Sequence, residues 1–240
     1  MIDDAVRQKY SLTLEEQVFY EVGISLDEHD AIVQVWREKV RHDLVRPTTV
    51  IQRWGNDTLH TFTGDVSGGV GLINARDVQP FIRVMPHSEY PSGSACLCTA
   101  YQEYTDAFIK HDYGAAALSV STKGRYVEKP RSWANLIDFK SDCGQSRLWG
   151  GMHFTKSVPE GERLCRGIGE RSLDFMQNLK NGSLMFGKPP SMVPLCAQAA
   201  PEAETMGASC TPSQSIHFLV WMSSFLCLVF GQGQTCGKCN

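Results

Sequence analysis

KVRHDLVRP, residues 39–47, places Lys39 and Arg46 seven residues apart in a segment that reads as helix. Seven residues is close to two turns, so the spacing predicts both cations on one helix face, about 10 Å apart. Two cations so placed suit a multi-oxygen anion over the helix end; the plainer alternative is a solvated basic face. Pro47 is expected to stop the helix, because the residue before a proline is pushed out of the helical region. Upstream, Ser25 and Glu28 match a capping box opening this helix, which carries Ile32, Val33, Val35, Trp36, Val40 and Leu44. A separate helix is expected before it, from Leu12 to Val22, with Leu14, Val18, Phe19 and Val22 on one face and Gly23 closing it.

Downstream, residues 52–90 carry Gly55, Gly64, Gly68, Gly69, Gly71, Pro80 and Pro86 with little periodicity. They read as a long irregular loop with a short strand pair, and such a loop inside a compact domain is more often functional than idle. GDVSGGVG within it lacks the GxGxxG and GK[ST] patterns of nucleotide loops. PHSEYPSGS, residues 86–94, ends the loop ahead of a helix from Ala95 to Lys110, with Leu97, Ala100, Tyr101, Tyr104 and Phe108 on one side. Ser92 and Gly93 thus sit where first-turn amides, the serine hydroxyl and the helix dipole all favour an anion, although an ordinary N-cap reads the same way. Further helices are expected over Ser132–Ser141 and Pro159–Leu179, with Asn181-Gly182 as a stop. Between them lies SRLWGGMH, residues 146–153. Arg147 can fork two bonds to an oxyanion, and His153 offers a neutral ring nitrogen as nucleophile or metal-centre ligand. Six residues would put these two on different faces of one helix, and Gly150-Gly151 offers the needed break.

The chain has 240 residues, 42% hydrophobic and 20% charged, a globular balance. Its net charge of −3 excludes a general nucleic-acid binder while leaving room for a concentrated anion site. MIDDAVRQKY at the start has no apolar run of the secretory type, so no signal is expected there. The apolar run Ile216–Phe230 is shorter than the roughly 20 residues of a membrane span, so no membrane association is expected. The nine cysteines are irregularly spaced and are expected to be reduced, partly buried thiols. Cys236-Gly-Lys-Cys239 is half a zinc motif without a second half. Two domains are expected: a helical one over residues 1–185, and a poorly ordered tail over 186–240 containing Pro, Gly and Cys and the short apolar run.

Taken jointly, the three segments resemble the signature of the superfamily of PAP2 phosphatases and vanadium-dependent haloperoxidases, KxxxxxxRP, then PSGH, then SRxxxxxHxxxD. Lys39–Pro47 matches the first in full, Pro91–Gly93 matches PSG, and Ser146–His153 matches SRxxxxxH. Asp30-Ala31 with Trp36, and His87-Ser-Glu-Tyr-Pro-Ser-Gly, are similar to stretches of the haloperoxidase branch. The resemblance implies an all-α helical bundle whose helix ends hold one tetrahedral oxyanion, vanadate or phosphate. Lys39, Arg46 and Arg147 would neutralise its oxygens, Ser92 and the Gly93 amide would add hydrogen bonds, and His153 would bond the central atom. The implied activity is oxidation of halide by hydrogen peroxide. The alternatives are a phosphomonoesterase using a phosphohistidine, and a homologue that binds phosphate without turnover. Ser94 stands where the family carries its acid–base histidine, and a hydroxyl has no useful proton affinity near neutral pH. His87, which lines the same pocket in bromoperoxidase-like members, is expected to take over part of the proton transfer. Ser157 stands where the HxxxD pattern has Asp, so the carboxylate that orients the histidine in the phosphatase branch is missing there. Haloperoxidases carry further helices before KxxxxxxRP, so the chain is expected to be either a fragment of that architecture or an aberrant gene model.

Overall fold

The computed structural model describes residues 2–65, 67–114, 118–123 and 130–183. Nearly all of them belong to one compact unit, Met1–Thr122 with Arg131–Gly182. The remaining unit, Lys123–Pro130 with Ser183–Asn240, lies almost wholly outside the described residues, as does the tail expected over 186–240.

Helix α1 (Ile2–Tyr10) leads into α2 (Leu14–His42), which is continuous for 29 residues. The break expected at Gly23 is absent. A capping box does exist, one helix start earlier: Thr13 Oγ1 accepts from the Glu16 amide at 3.3 Å, and Glu16 Oε2 accepts from the Thr13 amide at 2.8 Å. Ser25, the expected cap, instead donates its hydroxyl to the Glu21 carbonyl one turn back. Gly23 is glycine because of packing, since a Cβ there would coincide with the Tyr104 hydroxyl of the crossing helix. The buried face also differs from the expected one. Leu14, Val18, Val22, Val33 and Val40 face solvent, while Tyr20, Ile24, Asp27, Ala31, Val35 and Lys39 are buried.

The helix stops before Pro47, at Asp43, whose φ of 42° is a left-handed cap that aspartate tolerates. Pro47 opens the next helix, α3 (Pro47–Gln52), with Arg46 as its N-cap. Lys39 and Arg46 therefore do not share a helix face, contrary to the seven-residue spacing argument. The long loop contains the expected strand pair, β1 (Thr58–Phe62) antiparallel to β2 (Val70–Asn74), with Leu59 opposite Ile73.

Helix α4 (Gly93–Tyr113) is the axis of the bundle and packs against α2, α5 (Leu136–Trp149), α6 (Ser157–Cys165) and α7 (Ile168–Lys180). It is buried almost all round, which a solvent-facing helix never is. One cluster joins Ala31 and Val35 of α2 to Cys96 and Ala100 of α4, and to Cys165 and Ile168. Tyr20 stacks on Phe108 at 5.0 Å between ring centres, each such large side chain contributing about 1.5–3 kcal/mol by burial. The expected helix over Ser132–Ser141 begins only at Leu136, because Ser132 and Trp133 belong to β4 (Pro130–Trp133), which pairs with β3 (Val120–Lys123). The helix expected over Pro159–Leu179 is two helices, parted at Gly167 with φ 79°.

Four cysteines are not free thiols. Cys96 pairs with Cys165, and Cys98 with Cys143. Two positions apart on a helix are about 200° apart around it, so neighbouring cysteines of α4 reach different partner segments. The other five lie outside the described residues. No helix among the described residues is long and apolar enough to cross a membrane.

Candidate functional site

The last turn of α2 carries Lys39 inward, 1% exposed. Its Nζ donates to the carbonyls of Ser88, Glu89 and Pro91 at 2.9, 3.1 and 2.6 Å. All three ammonium hydrogens are thus used to hold the segment before α4. Burial, with Arg46 and Arg147 adding repulsion, presses its pKa down to about 7, while the three carbonyls and Glu89 favour the charged form.

Arg46 reaches the same place from the start of α3. Its guanidinium donates to the Met152 carbonyl at 2.9 Å and to the carbonyls of His87 and Ser88 at 3.2 and 3.3 Å. It also lies 3.3 Å from His153 Nε2 and 3.1 Å from His87 Nδ1. One side chain therefore draws together the three segments singled out in the sequence. Arg147, buried in the last turn of α5, completes the cationic set; burial and the nearby Arg46 lower its pKa to about 10.

The turn after α5 is made by Gly151 at φ 72°, where a side chain would be strained and would press on Pro80. It lets the chain reverse so that His153 points back beside Arg46. His153 is buried, with Nδ1 2.8 Å from Glu89 Oε1. Burial lowers its pKa to about 4; the Glu89 hydrogen bond raises it and Arg46 and Lys39 oppose that. The ring is therefore neutral at pH 7. His87 is also pushed down to about 4, by burial first and then by Lys39 and Arg46. Its ring lies 4.9 Å from that of Trp36.

At the start of α4, buried Ser92 is the N-cap, accepting from the Ala95 amide at 3.3 Å. Its own amide donates to the Ser157 carbonyl at 2.8 Å. Gly93 lies against Lys39 and Trp36: a Cβ there would be 3.5 Å from each. Ser94 follows, buried, in the first turn. The structure thus brings Lys39, Arg46, His87, Arg147 and His153 into one cluster beside Ser92, Gly93 and Ser94.

Sequence reasoning missed Glu89. It is 1% exposed and accepts from the His153 ring, from the Phe154 amide at 3.0 Å and from the Ser157 hydroxyl at 2.9 Å. Burial pushes its pKa up, but the bonds from His153, Ser157 and Phe154 outweigh this and hold the carboxyl below its ordinary value. It lies within His87-Ser-Glu-Tyr-Pro-Ser-Gly, between the histidine and the PSG match, at a position to which the resemblance assigns no role. The clue available was an acidic residue there together with a missing carboxylate at Ser157.

The charge balance tests what the cluster suits. Among the described residues, Glu89 is the carboxylate that acts on Lys39 and Arg46, while the charged neighbour that acts on Arg147 is Arg46, and a buried cation left uncompensated is costly. Arg46 Nε, Arg147 Nε and His87 Nε2 are buried without a hydrogen-bond partner among the described residues. Cations, orphan N–H donors and first-turn amides suit an oxyanion of charge near −2, such as vanadate or phosphate, rather than a bare metal cation. Among the described residues, no group of His, Cys, Asp and Glu is placed to hold a metal ion by itself.

No curated protein matches the chain. Solved structures do. Apo-type bacterial vanadium-dependent chloroperoxidase is similar at 24% identity and a TM-score of 0.65, over 75% of this chain and 42% of that one. The holo-type chloroperoxidase is similar at 25% identity and 0.64, over 74% and 39%. A bacterial vanadium-dependent iodoperoxidase gives 20%, 0.56, 72% and 37%. The chain therefore spans about two fifths of the length of the chloroperoxidases it matches. The family model described as the VCPO second helical-bundle domain matches residues 19–182, which contain every element of the cluster. The chain belongs to that family, within the vanadium haloperoxidase-like superfamily.

Proposed function

We propose that the protein is a vanadate-dependent haloperoxidase, oxidising halide with hydrogen peroxide. The observation that carries this reading is a neutral histidine beside buried Arg46 and Lys39, with buried Arg147 next to Arg46 and, among the described residues, Glu89 as the carboxylate on the ring. Lys39, Arg46 and Arg147 would neutralise the vanadate oxygens, with the Gly93 amide and Ser92 adding hydrogen bonds. His153 would bond the central atom through Nε2. When bound, vanadate supplies a Lewis-acidic centre at which peroxide becomes reactive toward halide. The chain's own part is electrostatic: the cations and amides are fixed before the reactants arrive, so no reorganisation is needed as charge develops. His87 Nδ1 accepts from Arg46, so the neutral ring carries its hydrogen on Nε2, which is buried without a partner among the described residues and would donate a hydrogen bond to a bound oxygen.

A second reading is favoured by Ser94, which supplies no acid–base nitrogen: a domain that binds vanadate or phosphate without turnover. The phosphomonoesterase reading uses the same cluster, with His153 as nucleophile. One set of assays separates them. Vanadate-loaded protein that oxidises halide in the presence of peroxide supports the haloperoxidase. Phosphate release from a phosphomonoester, inhibited by vanadate, supports the phosphatase. Oxyanion binding with neither activity supports the non-catalytic domain, and no oxyanion binding defeats all three.

A further inference from the structure

We propose that Glu89 is the positioning residue of His153, fixing the imidazole as the Nδ1–H tautomer and directing the bare Nε2 into the cationic cluster. The inference deepens the oxyanion reading and rests on it for the use to which Nε2 is put.

The hydrogen-bond inventory determines the tautomer. The Glu89 carboxylate only accepts, so Nδ1 must donate to it. The Arg46 guanidinium only donates, so Nε2 must accept. Two neighbours from different segments, 64 and 107 residues away in sequence, thus require the same arrangement. An imidazolium would set two donors against each other at Nε2, and the other tautomer would fail at both nitrogens.

Glu89 is itself held on every side. Its amide donates to the Leu44 carbonyl at 2.8 Å, and its carbonyl accepts from Lys39 Nζ. Its Oε1 takes the Phe154 amide alongside the His153 ring, and its Oε2 takes the Ser157 hydroxyl. A carboxylate with this many fixed donors cannot swing away, so it transmits its position to the ring. The same residue holds the Lys39 ammonium through its backbone and the His153 ring through its side chain. Two groups of the cluster, from opposite ends of the sequence pattern, are therefore registered against one residue. Ser157 supports the carboxylate instead of supplying one. Outer partners of this kind typically change the affinity of a metal site about 10- to 100-fold when removed.

The test uses protein with ¹⁵N-labelled histidine rings and needs no vanadate for its first arm. In the parent, the His153 ring should show a protonated Nδ1 and a bare Nε2. Glu89→Ala should populate the other tautomer, while Glu89→Ala combined with Ser157→Asp, which moves the carboxylate by one hydrogen-bond partner, should restore Nδ1–H. Glu89→Gln keeps the shape and guards against loss of fold; its Nδ1–H proton should move upfield as a charged acceptor becomes a neutral one. In the second arm, orthovanadate affinity should fall about 10- to 100-fold in Glu89→Ala and recover in the double variant. An unmoved ring proton in Glu89→Gln overturns the proposal, as does a Glu89→Ala protein that keeps the tautomer. Failure of the double variant to restore Nδ1–H overturns it too. If the parent binds no orthovanadate, the oxyanion reading fails, while the ring tautomers still decide the role of Glu89.

Discussion

Around the end of α2, three cations sit buried against one carboxylate. Three turns earlier on the same helix, Asp27 is buried near Glu28, Glu103, Asp30 and Tyr104, with no cation among the groups that shift its pKa. Both regions remove charge from water, and they answer the cost differently. Burial, reinforced by Glu28, Glu103 and Asp30, raises Asp27 to about 8, and Glu28 rises to about 7 mainly by burial. An acid escapes the penalty by taking a proton. Lys39, pressed down to about 7, can escape in part by losing a proton, but the guanidiniums have no such exit near neutral pH: Arg147, even lowered to about 10, stays charged. Both regions hold buried polar atoms without a hydrogen-bond partner among the described residues, Asp27 Oδ1 and Oδ2 and the Tyr104 hydroxyl in one, Arg46 Nε and Arg147 Nε in the other. The acidic region can shed its charge, and on the proposed reading the cationic one is balanced by an anion. That difference separates a structural polar core from a binding site more sharply than burial alone does.

The largest effect expected from this contrast is in the acidic region. Asp27 has a folded pKa raised from 3.8 to about 8, so the folded state binds more protons than the unfolded one between those values. The contribution of Asp27 to stability is then fullest below about pH 4 and falls as pH rises toward 8, at up to about 1.4 kcal/mol per unit. Asp27→Asn, which mimics the protonated acid, should flatten this slope and be the more stable protein at pH 8. Urea unfolding at pH 5, 6.5 and 8 checks it. A parent whose stability rises over that range through Asp27 would undo the contrast.

The disulfides come next. In the chain-entropy picture, closing loops of 69 and 45 residues contributes about 4 kcal/mol each. Both grip the first turns of α4, within a few residues of Ser92, so reduction should expose the amides of the cationic end before those around Asp27. Hydrogen exchange on oxidised and reduced protein reads this directly.

Much of the cationic region was legible in the sequence, because Lys39, Arg46, Arg147 and His153 each sit at a fixed offset from a proline or glycine that shapes the backbone. The long-range contacts were not. Glu89 has no local pattern; its role comes from partners 64 to 68 residues away. The continuity of α2 was hidden because Gly23 followed by Ser25 and Glu28 has the local chemistry of a stop and a start, and only the tyrosine of a crossing helix explains the glycine. The exposed Leu14, Val18 and Val22 follow a helical period as well as the buried residues do, so periodicity alone chose the wrong face.

Ser94 sharpens the comparison from the side of chemistry. On the proposed reading, the cluster holds its oxyanion without a basic group at position 94, but proton transfer there needs one. A positioned acid–base group contributes about 10²- to 10⁴-fold in rate, so Ser94→His should raise turnover about 100-fold or more and leave orthovanadate affinity within a few-fold. Unchanged turnover in Ser94→His, with activity lost in His87→Ala, would place the working proton group at His87 instead.

The smallest effect is the most direct trial of the reading that the charge of the cationic region is there for an anion. Arg147 contributes charge with its Nε unpartnered and makes no ion pair among the described residues. Its guanidinium is near Arg46, and the two disfavour each other. In anion-free protein, replacing it by an apolar chain of similar length removes a buried, repelled charge. Arg147→Met should therefore stabilise that state by about 1 kcal/mol, while weakening orthovanadate binding at least tenfold, about 1.4 kcal/mol. The two measurements must move in opposite directions if the charge is there for a ligand. Thermal melts with and without saturating orthovanadate show both: the variant should melt higher than the parent without the anion, and gain less from adding it. A variant that melts lower in both conditions would mean that Arg147 already has its partner within the fold, and the two polar regions would then differ only in sign.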